Sequence, residues 1–319
     1  MTKKKAFKQE YLTKYMYLIS LVLVMVVFSI FAPGFLSLYS LQNIMFEAAP
    51  LLILAGGLSF IIYTGGIDLG AGAMVSCTCV LTGIYIAKMG NIIVLLMILA
   101  GVVMGTLNGV ITAKLKLPSF IVTLCTQNFW NYVALILCPN GSIIIPMNMR
   151  SIVKWTTVKI GVIPSTFLLA ILVIFLLYVF QQYTFYGKSI FAVGANANAT
   201  RLAGVNIDAA QISAFTISGV CSALAGALYA YKLKSAVPTI GTSLTLTAIA
   251  SVALGGTSMA GGRGSVLRTS IGVLTITAVT SGLDMMGADP LWKNIIIGVI
   301  LIGAVCLNSD SQGRDLIIK

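Results

Sequence analysis

Few side chains of this 319-residue chain could do chemistry, since it has no histidine, 20 Lys and Arg residues and only 8 Asp and Glu residues. Without histidine it lacks the commonest metal ligand and general base. Cys77 and Cys79 form a Cys-x-Cys pair, which is not the Cys-x-x-Cys spacing of redox or zinc sites. No Ser/Lys or paired-carboxylate arrangement can be placed together. We therefore expect no catalytic residue, no bound metal and no cofactor on this chain.

One stretch resembles a phosphate-binding loop but lacks part of the motif. Gly187-Lys188-Ser189 is the end of a G-x-x-x-x-G-K-[ST] loop, but Gln182 stands where its first glycine belongs. The chain is not expected to bind ATP by this route. If it is an active transporter, its energy must come from another subunit or from an ion gradient.

Three polar residues inside or beside apolar runs are candidates for handling a solute. Asp68 follows a Gly-Gly pair, where a carboxylate either caps the next helix or lines a solute path. Glu47 either lines the path or is simply solvated at the outer membrane surface. Asn108 is predicted to hydrogen-bond between helices rather than to bind solute.

The elements that carry these residues are predicted from hydropathy. The chain is 58% hydrophobic and 9% charged, with a mean hydropathy of +1.01, whereas about a quarter of a soluble domain is charged. Crossing a bilayer takes roughly 20 apolar residues. We predict an all-α, polytopic transmembrane protein with about ten spans, near residues 15–32, 44–64, 70–87, 92–113, 119–138, 164–181, 209–230, 242–257, 264–283 and 290–307.

Charge predicts the orientation. Most Lys and Arg residues fall at span ends that are cytoplasmic if the N-terminus is cytoplasmic, as the positive-inside rule requires. The predicted organisation is a cytoplasmic segment at 1–14, a transmembrane domain at 15–307 and a cytoplasmic tail at 308–319. Because the basic residues are scattered at span ends, nucleic acid is not an expected partner.

Two glycine-rich interruptions break the apolar pattern. The first interruption covers residues 64–70, between spans two and three, and the second covers residues 254–265, between spans eight and nine. Transporters built from internal repeats show paired interruptions of this kind. Glycine is also frequent in ordinary turns of membrane proteins, so both explanations stay open.

A polar segment at 182–208 separates spans six and seven, on the predicted cytoplasmic side. Residues Ala197 to Ala203 can form a short helix ended by Gly204. Such a helix suits the docking of a partner protein, and a solvated connector is the alternative.

Several blocks of sequence, in order, resemble the membrane subunits of ABC-class carbohydrate importers of the ribose, xylose and galactoside type. The blocks cover nearly the whole chain after the first span. They are Asn43-Ile44 with Glu47 and Pro50, Thr64 to Leu69, Asn108-Gly109, Lys116 to Leu124, Tyr186 to Asn206, Ala248 to Ala250, Leu254 to Ser258, Gly261-Gly262 and Gly264-Ser265.

The resemblance implies a subunit of an importer of a sugar or sugar-like solute in a bacterial plasma membrane. Two such subunits, alike or unlike, would flank the pathway. Two cytoplasmic ATPase subunits carrying ATP and Mg²⁺ and an extracytoplasmic solute-binding protein would complete the assembly. The residues implied in ATPase docking are Gly194, Asn196, Ala199, Arg201, Leu202 and Gly204. The candidates for the solute pathway are Glu47, Asp68, Asn108, Thr245 and Thr247.

One departure from the family's pattern concerns the solute. The family usually carries Glu-Leu-Asp before the Ala-Ile-Ala block, and this chain has Thr245-Leu246-Thr247. This implies a different solute or an unlike second membrane subunit. The main alternative function is an ion-coupled secondary transporter, which would need ionisable groups in the membrane, and these are few. A membrane enzyme and a non-transporting structural subunit are further alternatives.

Overall fold

A computed structural model describes residues 3–308, of which the side chains at 3–14, 16, 290 and 306–308 are left undescribed. The described chain is almost entirely helical. Its α-helices are α1 Lys3–Phe31, α2 Leu38–Tyr63, α3 Ala71–Met89, α4 Ile93–Leu115, α5 Ser119–Leu137, α6 Arg150–Val153, α7 Ser165–Tyr183, α8 Phe185–Ala195, α9 Ala197–Leu202, α10 Ile207–Leu233, α11 Leu244–Leu254, α12 Val266–Met285 and α13 Pro290–Asn308. Short 3₁₀ helices lie at Gly90–Ile92, Met147–Met149 and Lys154–Thr157.

Strands play a minor part. Four strands of two residues form two antiparallel pairs: β1 Ile143–Ile144 with β4 Ser235–Ala236, and β2 Lys159–Ile160 with β3 Ile163–Pro164. The first pair joins the polar stretch between α5 and α7 to the segment after α10, and the second pair is a hairpin within that stretch.

Helix length and composition confirm a helical membrane protein. Six helical segments are long and apolar enough to cross a membrane: Leu38–Tyr63, Ala71–Leu115, Ser119–Leu137, Ser165–Tyr183, Ile207–Leu233 and Val266–Met285. Shorter apolar helices lie at Tyr17–Phe31, Leu244–Leu254 and Leu291–Val305. Each of the ten expected spans coincides with a helix, and the number of crossings stays a prediction.

The segment Ala71–Leu115 is folded back on itself. At Gly90 the backbone has φ +58°, which ends α3. Thr78 of α3 lies beside Gly226 of α10, while Asp68, just before α3, lies beside Ser218, so α3 runs parallel to α10. In α4, Gly101 lies beside Gly219 and Gly109 beside Ile212, so α4 runs antiparallel to α10. The two helices therefore form a hairpin.

The helix α11 is shorter than the span predicted for it at 242–257. Its 11 residues extend about 16 Å at 1.5 Å per residue, against roughly 30 Å of hydrocarbon. The preceding backbone is a turn, in which the Gly241 N–H donates to the Ser76 hydroxyl (2.9 Å). Non-helical backbone at membrane depth needs such partners within the protein.

The helices α2 and α10 form the centre of the molecule. Every residue of α2 from Ala48 to Tyr63 is buried, and the sequence there is apolar on all sides, as expected of a fully enclosed helix. α10 packs against α2, α3 and α4.

Glycines allow α4 and α10 to approach closely. A Cβ at Gly105 would lie 2.3 Å from the Phe215 carbonyl oxygen, and one at Gly219 would lie 2.3 Å from the Gly101 carbonyl oxygen. Close packing of small residues is a general means of joining membrane helices.

Candidate functional site

The two glycine-rich interruptions meet at the ends of α2 and α12. The Gly262 N–H of the second interruption donates to the carbonyl oxygen of Tyr63, the last residue of α2 (2.9 Å). Gly65 of the first interruption lies against the Ala260 carbonyl, since a Cβ there would be 3.1 Å from its oxygen. The sequence pattern indicated two similar interruptions, and the structure brings them into direct contact.

The polar segment between α7 and α10 reaches this contact. A Cβ at Gly194, near the end of α8, would lie 1.8 Å from the Tyr63 carbonyl oxygen and 2.6 Å from the Gly262 nitrogen. Only glycine leaves room for these three backbones to meet. The Tyr63 ring also stacks on Phe191 of α8, with ring centroids 4.4 Å apart. We call the contact of Tyr63, Gly194 and Gly262 the junction.

The polar segment itself consists of two helices. The predicted short helix is confirmed as α9, where the Asn196 side chain accepts from the Ala199 N–H (3.0 Å) and Gly204 has φ +81° after the helix end. The helix α8 was not predicted. Its signal is Thr184, whose hydroxyl accepts from the Gly187 N–H (3.0 Å) as an N-cap.

The face of α9 turned to solvent carries the other predicted docking residues. Leu202 is 90% exposed at the end of α9. Arg201 is exposed and also lines a cavity of about 620 Å³ that opens below the first interruption and the α4–α5 connection. Docking at this face stays a prediction, since the described chain includes no partner.

Asp68 has the geometry of a structural cap. Its side chain is 1% exposed, with one carboxylate oxygen accepting from the Gly70 N–H (2.9 Å) and the other from the Ser218 hydroxyl (3.0 Å). Gly70 directly precedes α3, so the carboxylate complements the positive end of that helix. It also ties the first interruption to α10.

Thr245 connects α11 to the start of α3, whereas Thr247 does not. The Thr245 hydroxyl is buried and accepts from the Gly72 N–H (3.0 Å). The Thr247 hydroxyl donates to the Ser243 carbonyl within its own helix turn (2.9 Å). Of the two hydroxyls that replace the expected acidic pair, one therefore holds the site together and the other is more accessible.

Glu47, in the N-terminal half of α2, pairs with Lys232, in the last turn of α10. The Lys232 ammonium lies 2.6 Å from a Glu47 carboxylate oxygen and over the rings of Phe46 and Tyr229, at 5.3 and 5.5 Å from the centroids. The structure supports neither a freely solvated Glu47 nor a Glu47 given over to the solute path alone. Its carboxylate is half-exposed, yet it pairs with the buried Lys232 ammonium.

Asn108 does not make the expected interhelical hydrogen bond. It is fully buried on α4, and its side-chain amide has no partner among the described residues. Side chains join α4 and α10 instead through the Thr106 and Thr216 hydroxyls, which lie 2.9 Å apart, and through the Lys114–Asp208 ion pair at 3.0 Å.

One exposed polar side chain on α5 was missed by the sequence analysis. Asn128 lies on the exposed face of this helix among large side chains that include Leu124, Phe129 and Tyr132, and its amide donates to the Leu124 carbonyl oxygen (3.1 Å). Asn128 is at the middle of Ser119–Leu137, a segment apolar enough to cross a membrane. Its signal was the run Thr126-Gln127-Asn128, which interrupts the apolar pattern of a span.

No group of three or more His, Cys, Asp or Glu side chains that could hold a metal ion occurs within the described part of the chain. The site is thus built from backbone groups, hydroxyls and one buried carboxylate.

Replacing Thr245 by valine should destabilise the protein. The Gly72 N–H would lose its acceptor in a buried place, at a cost of about 1–3 kcal/mol, so the thermal unfolding temperature of the detergent-solubilised chain should fall. Thr247→Val is the matched control and should unfold close to the original temperature. Equal unfolding temperatures for the two variants would contradict this role of Thr245.

Comparison with known proteins identifies the family. Residues 40–305 match the family described as branched-chain amino acid transport system / permease component. The ribose import permease protein RbsC of Escherichia coli K12 is 31% identical to this chain over 97% of it and 98% of the relative. The probable ABC transporter permease protein YphD of the same strain is 34% identical (95% and 92%), and the fructose import permease protein FrcC of Rhizobium meliloti is 32% identical (91% and 84%). No solved structure matches the chain.

These similarities extend over nearly the full length of the chain and of its relatives. They confirm the resemblance to ABC importer permeases, the reading as a transport subunit rather than an enzyme, and the location in a bacterial plasma membrane. The chain belongs to the family of ABC importer permease components that includes the sugar import permeases of bacteria.

Proposed function

We propose that this chain is one of two membrane subunits of an ATP-driven importer of a sugar or sugar-like solute. The solute is delivered by an extracytoplasmic binding protein, and two cytoplasmic ATPase subunits bind ATP and Mg²⁺. The observation that carries the proposal is the seating of α8 on the junction, which links a solvent-facing helix pair to both interruptions. The ribose and fructose import permeases among the relatives support the class of solute.

The proposed topology has ten membrane segments with both termini in the cytoplasm. Residues 15–307 form the transmembrane domain after a segment at 1–14, and the tail at 308–319 lies outside the described residues apart from Asn308. α11 and the turn before it together take the place of the eighth crossing. Either the second subunit is a copy of this chain or it is a related one.

Coupling follows from the contacts of the junction. A partner that pushes on α8 and α9 displaces Gly194, which cannot move toward α2 without displacing the Tyr63 carbonyl or the Gly262 N–H. Interrupted helices that change their relative position are a general device for alternating access in transporters. ATP-driven closure of the ATPase subunits thereby shifts the interruptions and opens the path.

The exposed face of α5 that carries Asn128 is the proposed wall of that path. An amide at the centre of a membrane helix is costly in contact with lipid and is favoured where it faces water or another protein. We therefore place Asn128 and Tyr132 along the pathway between the two membrane subunits. The cavity of about 620 Å³ at the inner end of α5, which Thr64 and Ser119 line, is the proposed exit.

The pathway so built is mildly polar. Glu47, Asp68, Asn108, Thr245 and Thr247 were the candidates, and of these Asp68 and Thr245 are occupied in holding the interruptions. Affinity for the solute is left to the binding protein, so the pathway needs no dense set of ligands.

The alternative, an ion-coupled carrier, finds less support. Such a carrier needs a carboxylate that is available to a proton or sodium ion. The described carboxylates all have partners: Asp68 is bonded to Ser218 and Gly70, Glu47 to Lys232, Asp208 to Lys114 at 3.0 Å and Asp284 to Lys293, and Asp289 accepts from the Leu291 N–H.

The substitution Arg201→Glu should abolish ATP-dependent uptake while leaving the chain inserted and folded. It reverses a charge on the proposed docking face without touching the core. Uptake of labelled solute by vesicles containing the whole importer measures the effect, with Lys159→Glu, at an exposed position on the opposite side, as the control. Normal uptake in the Arg201 variant would favour the ion-coupled carrier.

Replacing Asn128 by leucine distinguishes a pathway from a lipid-facing position. In the pathway, leucine removes a polar group that the solute passes, and uptake should fall several-fold with an unchanged unfolding temperature. If Asn128 faced lipid, leucine would instead raise the unfolding temperature and leave uptake intact. Val103→Leu, at an exposed position on α4, is the control.

A further inference from the structure

A second cavity, of about 540 Å³, lies between the end of α7, α8, the second interruption and the start of α12. It is strongly basic. Its charged lining residues are Lys188, Arg263 and Arg268, which come from three different elements. Gln181 and Gln182 supply the remaining polar side chains.

The wall of this cavity is fixed by buried contacts. Gln181 is 4% exposed, and its side-chain oxygen accepts from the N–H of Val266, the first residue of α12 (3.0 Å). The N-terminal end of α12 carries a partial positive charge, which adds to that of the side chains. Within the described residues, neither Lys188 nor Arg268 is paired with a carboxylate. The cavity is therefore prepared for an anion.

The surroundings of the cavity are apolar and aromatic rather than charged. Tyr183, Phe185 and Tyr186 beside it are 74%, 66% and 47% exposed. Exposed aromatic side chains at a helix end are typical of the boundary between lipid and water. They mark the depth of this cavity as that of the lipid head groups.

The exposed side of α7 continues this surface into the membrane. Leu172, Phe175 and Leu176 are each more than half exposed. These side chains are purely apolar, as contact with acyl chains requires, whereas Asn128 interrupts the largely apolar exposed face of α5. A lipid lying along α7 would place its head group at the basic cavity.

We propose that this cavity binds the head group of an anionic phospholipid of the cytoplasmic leaflet. Lys188 and Arg268 hold the phosphate, the aromatic side chains contact the glycerol region, and the acyl chains lie on α7. Clustered basic residues at the inner membrane surface are a general means of binding anionic lipid. The side of the membrane rests on the topology proposed above.

The bound lipid would act on transport. Phe191 and Gly262 line the cavity, and both touch Tyr63 at the junction. A head group in the cavity therefore joins α8 to the second interruption, and the coupling of ATP hydrolysis to uptake should depend on the anionic lipid content of the membrane.

Lipid binding is tested on the isolated full-length chain, so its outcome does not depend on the proposed transport function. The chain is incorporated into nanodiscs of phosphatidylcholine with increasing phosphatidylglycerol, and the co-purified phosphatidylglycerol is quantified by mass spectrometry. The variant is Lys188→Gln combined with Arg268→Gln, and the control is Lys154→Gln combined with Lys159→Gln. Each substitution removes one unit charge, so retention of phosphatidylglycerol should be about thirtyfold weaker in the first variant. In the control, retention should be unchanged.

Three results would overturn the proposal. Equal retention by both variants would show that the lipid is held elsewhere. Displacement of phosphatidylglycerol by millimolar inorganic phosphate would show that a free anion is the ligand. Unchanged retention combined with lost binding of the ATPase subunits would assign the cavity to an acidic surface of that partner.

Discussion

The hydrogen bond from the Gly262 N–H to the Tyr63 carbonyl is the constraint on which the rest of the structure depends. The Tyr63 carbonyl ends α2, where no further helical N–H follows to bond it, and Gly262 lies in the non-helical backbone before α12. Backbone groups of this kind need partners within the protein when they are buried. Each interruption here is the partner of the other, and Asp68 and Thr245 satisfy the N–H groups at the start of α3. The arrangement requires glycine wherever two backbones touch, which accounts for the glycine-rich sequences on both sides.

This constraint also gives the proposed transport function a physical route. α8 ends against the same two backbone groups, so a force on α8 and α9 reaches both interruptions without an intervening flexible segment. The proposed solute exit and the proposed lipid site are separate cavities with no lining residue in common. Partner proteins and lipid would thus act on one small region of backbone.

Much of the fold could be predicted from hydropathy, because each membrane helix is a continuous apolar run. All ten expected spans coincide with helices, and the α9 helix followed from Gly204. The shortness of α11 and the hydrogen-bond partner of Gly241 could not be predicted, since they depend on Ser76 and Gly72 far away in sequence. The interhelical role given to Asn108 was wrong for the same reason, because the facing residue decides which side chain bonds. The exposed position of Asn128 on α5 was not predicted, because the high average hydropathy of its span gave no sign of which face would be exposed.

The coupling of α8 to the interruptions is tested most directly by the ratio of solute imported to ATP hydrolysed in a reconstituted importer carrying Gly194→Ala. The added methyl group would lie 1.8 Å from the Tyr63 carbonyl oxygen, so it must push α8 away from the junction. The account predicts a complex that still assembles and hydrolyses ATP but imports at least tenfold less solute for each ATP. An unchanged ratio in an assembled complex would contradict it.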